Sequence, residues 1–373
     1  MSDAASMTPR DPYRDPKTAA GLVQRIGAAS DRLQRRATFM EVCGTHTHAV
    51  AAAGLRRMLP EGVRLISGPG CPVCVTPVDY LDRALALADL PDTVICTFGD
   101  LMRVPSSHSS LERARAAGAR IEVVYSPRDA VARARFAPST RVVFLGVGFE
   151  TTAPTIAAAI AEADADGVPN FLVLPGNKVM PPPMAALAAD PELGVDGFLL
   201  PGHVSVLTGW NVFRFLADVH GIPGAVVGFS PTDVLRGVLE LLEQRIRGEA
   251  TITNLYNRAV DADGNRVASA LVDGYFEPAT VTWRGFGPIP GSGLVLRAEH
   301  AHRDAGLIDV EVPDPVEPHG CRCGEVLRGS IDPPECSLFG GACVPDAPVG
   351  ACMVSAEGTC AAWYRHRLHE TTV

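Results

Sequence analysis

The sequence predicts an α/β protein, with two parallel-sheet α/β domains followed by a small cysteine-rich domain. Three observations predict it. Short apolar segments recur up to about residue 290, helical segments rich in Ala and Leu separate most of them, and beyond Gly285 this alternation gives way to Pro, Gly and Cys. Strands that are apolar on both faces, alternating with amphipathic helices, indicate βα units whose sheets are covered on both sides.

Taken in order, residues 1–16 carry Asp, Arg and Pro but no apolar face, and read as a disordered tail. Residues 17–36 read as a first helix, with Leu22, Ile26 and Leu33 at helical spacing. Strands are expected at 38–42, 63–66, 93–97, 120–125, 141–147, 171–174, 197–200 and 225–227, with helices at 80–88, 155–165 and 232–247. A break at 127–141 divides a first domain, 17–135, from a second, 136–290. The third, 291–373, holds six of the ten cysteines between Cys321 and Cys360. It is too short and polar to rely on a hydrophobic core alone.

Composition limits the partners. A chain of 373 residues with 47% hydrophobic and 20% charged residues buries a sizeable core. A net charge of −9 and the absence of a Lys/Arg run argue against nucleic acid, because a phosphate backbone calls for a basic face. No apolar run approaches the roughly 18 residues that span a bilayer, and the N-terminus lacks the apolar core of a secretory signal. A cytoplasmic monomer with no membrane contact is therefore expected. In that reducing compartment ten cysteines are not a disulfide framework, so they read as metal ligands, redox thiols or buried apolar residues.

In parallel α/β folds ligands sit at the carboxyl ends of the strands, so the loops there carry the chemistry. The first expected strand ends in Cys43-Gly-Thr-His46-Thr-His48 and the second in Gly-Pro-Gly-Cys71-Pro-Val-Cys74. Two residues between cysteines bring both sulfurs across one turn, and a helix starting at Pro72 would stabilise a thiolate at Cys71. That is a redox dithiol; half of a zinc site, completed by Cys43, His46 or His48, is the alternative. Cys43, followed by Gly44, reads as an accessible strand-end thiol, or else as a small buried apolar residue. Of the two histidines, His46 is the one assigned near the site, and His48 reads equally as a helix-capping or core histidine. Cys96, inside an apolar strand, reads as core. Gly146-Val-Gly148 resembles a dinucleotide fingerprint without its third glycine, and no acidic residue closes a following strand. Nicotinamide binding is not expected. In the last domain Cys323, Cys336, Cys343 and Cys360 are separated by 12, 6 and 16 residues. Four thiolates in one compact loop system suit a [4Fe-4S] cluster or zinc, and Cys321 and Cys352 read as spares.

Together, Met-Glu-Val-Cys43-Gly-Thr-His-Thr-His, Gly-Pro-Gly-Cys71-Pro-Val-Cys74, Gly148-Phe-Glu-Thr-Thr-Ala-Pro-Thr155, Leu200-Pro-Gly-His-Val-Ser205 and Cys336-Ser-Leu-Phe-Gly-Gly resemble the HypD family of [NiFe]-hydrogenase maturation factors. The resemblance runs from about residue 17 to 364 and breaks at no motif cysteine. It implies two α/β domains and a cluster-bearing domain, with a [4Fe-4S] cluster on Cys323, Cys336, Cys343 and Cys360. It also implies the role of a redox-capable scaffold that binds Fe(II) and supports assembly of the Fe(CN)2CO centre destined for the hydrogenase large subunit. A HypC-type chaperone would share the iron with Cys43, and a HypE-type partner would deliver cyanide from a terminal thiocyanate. Cys71 and Cys74 would be a redox pair or auxiliary iron ligands. An iron-sulfur thiol-disulfide reductase acting on a protein substrate is the alternative.

Overall fold

The computed structural model describes residues 15–190 and 192–367, so the expected tail lies almost wholly outside the described residues. Among them eleven strands form: β1 (Ala37–Glu41), β2 (Val63–Ser67), β3 (Thr93–Thr97), β4 (Ile121–Val123), β5 (Arg141–Gly148), β6 (Phe171–Asn177), β7 (Gly197–Pro201), β8 (Gly224–Val227), β9 (Ile252–Asn254), β10 (Phe276–Trp283) and β11 (Gly287–Leu296). They make a five-stranded sheet ordered β2-β1-β7-β8-β9, a four-stranded sheet ordered β4-β3-β5-β6, and the two-stranded β10-β11. Every pairing in the two larger sheets is parallel, and β10-β11 is antiparallel. The expected α/β class with two parallel sheets is what the chain adopts.

The sheets are not consecutive in sequence. The chain builds β1 and β2, leaves to complete the second sheet, and returns with β7 to pair beside β1, Phe39 opposite Gly197. A division at residue 135 therefore passes through the second sheet rather than between the two. All eight expected strands are present. The three that sequence patterning passed over are the short edge strand β9 and the hairpin β10-β11, whose Pro278, Pro288 and Pro290 read as loop.

The helices are α1 (Pro16–Leu33), α2 (Gly44–Ala52), α3 (Leu55–Met58), α4 (Pro72–Val75), α5 (Val78–Ala88), α6 (Leu111–Ala116), α7 (Pro127–Phe136), α8 (Ala153–Ala165), α9 (Pro181–Ala188), α10 (Gly202–Thr208), α11 (Arg214–Asp218), α12 (Pro231–Arg247), α13 (Arg266–Tyr275), α14 (Cys323–Leu327) and α15 (Thr359–Arg367). Their starts are written in the sequence. Ser126 with Asp129 and Ser230 with Asp233 form capping boxes at α7 and α12, each followed by proline at the first helical position. The amphipathic α12 buries Val234, Leu235, Val238, Leu241 and Leu242 with α1 residues Leu22 and Ile26 in one cluster, each side chain contributing about 1.5–3 kcal/mol. A second cluster is continuous from Met40 and Ile66 of the first sheet, through Cys71 and Cys74, to Val143, Trp283 and Cys323. The dithiol and part of the cysteine-rich segment are thus built into a shared core. Among the described residues no helix is long and apolar enough to cross a membrane.

Candidate functional site

Two glycines bring the ends of β1 and β2 together. Gly44 N–H donates to Gly70 O at 2.8 Å, and a Cβ on Gly70 would stand 2.3 Å from Cys43 N. Only glycine allows that approach. Cys43 is consequently the N-cap of α2, one residue from the strand-bridging bond, and Cys71 follows Gly70 directly. Cys43 is 9% exposed, less accessible than its strand-end position suggested. Burial pushes its thiol up to about 11, a nearby Glu357 charge adds to this, and the N–H groups of Thr45 and His46 oppose it. The thiol therefore holds its proton until a cation or base takes it.

Cys71 N-caps the single-turn α4, with Pro72 at the first helical position as the spacing anticipated. Cys71 and Cys74 are joined as a disulfide, their Cα atoms 5.3 Å apart, and both are buried. Cys74 Sγ lies 4.0 Å from Ala351 O, in the single 3-10 turn Ala351–Met353. Cys352 of that turn lines a small cavity together with Cys321, Cys323, Cys336, Cys343 and Cys360. Cys321 and Cys352, read as spares by spacing, line the same wall as the four cysteines singled out by it. Cys352 Sγ stands 2.7 Å from Cys323 Sγ. Hydrogen bonding from Cys321 and Cys352, with help from the Arg284 charge, pulls the Cys323 thiol well below its ordinary range.

The six-thiol lining, walled by Val326, Leu338, Phe339 and Met353, is the donor set and apolar surround that suit an iron-sulfur cluster. Among the described residues no three Cys, His, Asp or Glu side chains are already grouped as the ligands of one ion. Fit rests on the chemistry of the thiols and the cavity they enclose.

His46 and His48 lie on α2, where residues two apart stand about 200° apart around the axis and face opposite ways; an extended chain would have put both on one face. His46 is fully buried; its Nε2 is within 3.1 Å of Gly228 O and 3.3 Å of Val227 O. Burial lowers its pKa to about 4, so the ring is neutral, and its Nδ1 has no hydrogen-bond partner. The ring stacks on Phe229 at 4.9 Å, and His203 stacks on Phe229 at 3.8 Å. His48 instead meets His366 of α15 edge to face at 5.1 Å.

Sequence reasoning missed Glu357. Thr45 Oγ1 donates to Glu357 Oε1 at 2.6 Å; Glu357 N–H donates to Ser355 Oγ at 3.2 Å, and Ser355 Oγ donates to Asp100 Oδ2 at 2.7 Å. The Glu357 charge is felt at both Cys43 and His203. No motif spacing reveals this carboxylate, because it comes from the other end of the chain. Glu150, in the loop after β5, anchors the following strand's loop by accepting from Met180 N–H at 2.7 Å. Cys96 is fully buried core, as expected.

The fold and site define a class: a parallel α/β scaffold that presents one buried thiol and a neighbouring disulfide at strand ends, backed by a thiol-lined cavity. The family model HypD, described as "Hydrogenase formation hypA family", matches residues 17–367. "Hydrogenase maturation factor HypD" of Rhodobacter capsulatus is 43% identical over 364 residues, covering 95% of this chain and 97% of the relative. The protein of the same description from Escherichia coli K12 is 41% identical over 97% of this chain and 98% of its own length. "Hydrogenase expression/formation protein HupD" of Azotobacter chroococcum is 43% identical over 95% and 96%. The chain belongs to the HypD family of hydrogenase maturation factors.

Proposed function

We propose that this maturation factor is the scaffold on which an Fe(CN)2CO unit is assembled, with Cys43 as the protein's ligand to the incoming Fe(II). A HypC-type chaperone supplies a second thiolate, and a HypE-type partner presents a thiocyanate as the cyanide source. Soft thiolates suit an iron centre carrying cyanide and carbon monoxide. Cys43 must lose its proton to bind, and the Glu357 carboxylate, held by Thr45 in the first turn of α2, is the acceptor assigned to it.

The observation that carries the reading is the contiguity of three thiol sites. Cys43 stands beside the Cys71–Cys74 disulfide across the Gly44–Gly70 bond, and Cys74 packs on the turn whose Cys352 lines the cysteine cavity. Cys323, Cys336, Cys343 and Cys360 would hold a [4Fe-4S] cluster there, which supplies single electrons from a low-potential donor. Cleaving the Cys71–Cys74 bond takes up two electrons and two protons. The resulting dithiol then reduces the partner's thiocyanate: the S–C bond breaks, cyanide leaves as an anion to the iron, and the Cys71–Cys74 bond re-forms. Of the two thiol protons, one goes to the partner's thiol and one to solvent. The scaffold is thereby returned to its starting state.

The same disulfide beside the same cavity also supports a thiol-disulfide reductase acting on a protein substrate. Metal analysis separates the two readings. Scaffold function predicts more than about four irons per chain when the protein is purified anaerobically with its chaperone, falling to about four in Cys43→Ala. Equal iron in both overturns the assembly reading in favour of the reductase.

A further inference from the structure

The β10-β11 turn inserts one buried cation between the dithiol and the cysteine cavity. Arg284 N–H donates to Val75 O, the end of α4, at 2.9 Å. Gly285 follows at φ 83° and lies against Gly324, the neighbour of Cys323; a Cβ on Gly285 would meet Gly324 Cα at 2.5 Å. Arg328 also donates to Gly285 O. The turn is therefore fixed on both sides, to the dithiol helix and to α14.

The Arg284 side chain is 3% exposed, yet its guanidinium is poorly partnered. Nη2 reaches Pro105 O only at 3.5 Å, Nε makes no hydrogen bond, and the exposed Glu317 carboxylate stands off at 3.6 Å. A guanidinium has five donors and stays charged, so a buried one with weak partners is costly unless negative charge is nearby. The cysteine cavity is the nearest source of such charge along this turn: Gly285, next to Arg284, packs on Gly324, next to the cavity-lining Cys323.

We propose that Arg284 is the fixed cation that raises the reduction potential of a cluster held in the cysteine cavity. This rests on the cluster reading above. Adding one electron makes the cluster and its thiolates one unit more negative. A fixed positive charge in a low-dielectric setting favours that state. Arg284 is a positioning and tuning residue: it ligates nothing, and Glu317 moderates it from the other side.

The test is a potentiometric titration of the full chain, reconstituted anaerobically with iron and sulfide and reduced stepwise by dithionite. The reduced cluster is followed by paramagnetic resonance. R284Q should lower the cluster's reduction equilibrium constant at least tenfold, a shift of about 59 mV for a one-electron couple. R284K should recover most of it. E317Q, changed at a 58% exposed side chain, should shift the potential in the positive direction, and it decides the matter if R284Q does not fold. Unchanged potentials in the variants that fold overturn the role of Arg284. A wild-type chain that takes up no cluster overturns the cluster reading itself, so the two failures are distinguishable.

Discussion

At the residue scale, burial governs the chemistry of this chain more than any single charge does. Cys43 illustrates it. With its thiol pushed up to about 11, the alkylation rate of the metal-free protein at Cys43 should climb about tenfold per pH unit up to that value. Peptide mapping after iodoacetamide treatment at several pH values checks this; a plateau near neutrality would refute the assigned environment. Glu150 offers a second test. Burial raises its carboxyl from 4.5 to about 7, so its contribution to stability is fully present below about pH 4.5 and is lost as pH rises through 7. Glu150→Gln keeps the acceptor for Met180 N–H and removes the titration. Relative to the wild type, the variant should gain up to ~3 kcal/mol between pH 4.5 and 8, read from Tm against pH. A pH-independent difference would mean that the carboxyl is solvated. A third case is Glu41, fully buried on β1 and paired with Arg56 and Ser67. Arg56→Met should cost about 3–5 kcal/mol by stranding that carboxylate, measurable by denaturant unfolding.

At the element scale, the strand-to-loop transitions hold the site and the amphipathic helices hold the strands. Leu241 of α12 is completely buried, and Leu241→Ala should cost about 2–5 kcal/mol with no change in cysteine reactivity. Gly70→Ala should do the reverse: its Cβ meets Cys43 backbone, so it disturbs the joint between β1 and β2 where the thiols stand, and Cys43 labelling should change along with Tm. Much of this level was legible in the sequence. Segments such as 93–97 and 141–147 are apolar on both faces, which only a covered parallel strand requires. Cys-Pro-Val-Cys announced its own turn through spacing and Pro72. The hairpin β10-β11 was not legible, because Pro288, Pro290 and Gly291 mask an antiparallel pair with a bulge between Ala279 and Val281.

At the scale of the whole molecule, function depends on contacts between segments far apart in sequence. Strand β7 returns beside β1, and the loop at 355–358 reaches the first turn of α2, where Glu357 meets Thr45. Periodicity and spacing carry no information about such pairings, which is why sheet membership and Glu357 were invisible, while the cysteines that the contacts gather were not. Cys321 and Cys352 show the same limit from the other direction: spacing set them aside, and packing put them in the cavity wall. The central claim is that these pieces form one route, from the cysteine cavity through the Cys71–Cys74 pair to iron on Cys43. Infrared spectroscopy of the iron-bound cyanide, on protein purified anaerobically with its HypC-type and HypE-type partners, tests it most directly. Cys71→Ala and Cys74→Ala should retain the cluster, by iron and sulfide analysis, yet lose most of the cyanide bands per iron. Full-intensity bands accumulating at the wild-type rate in those variants would contradict the account.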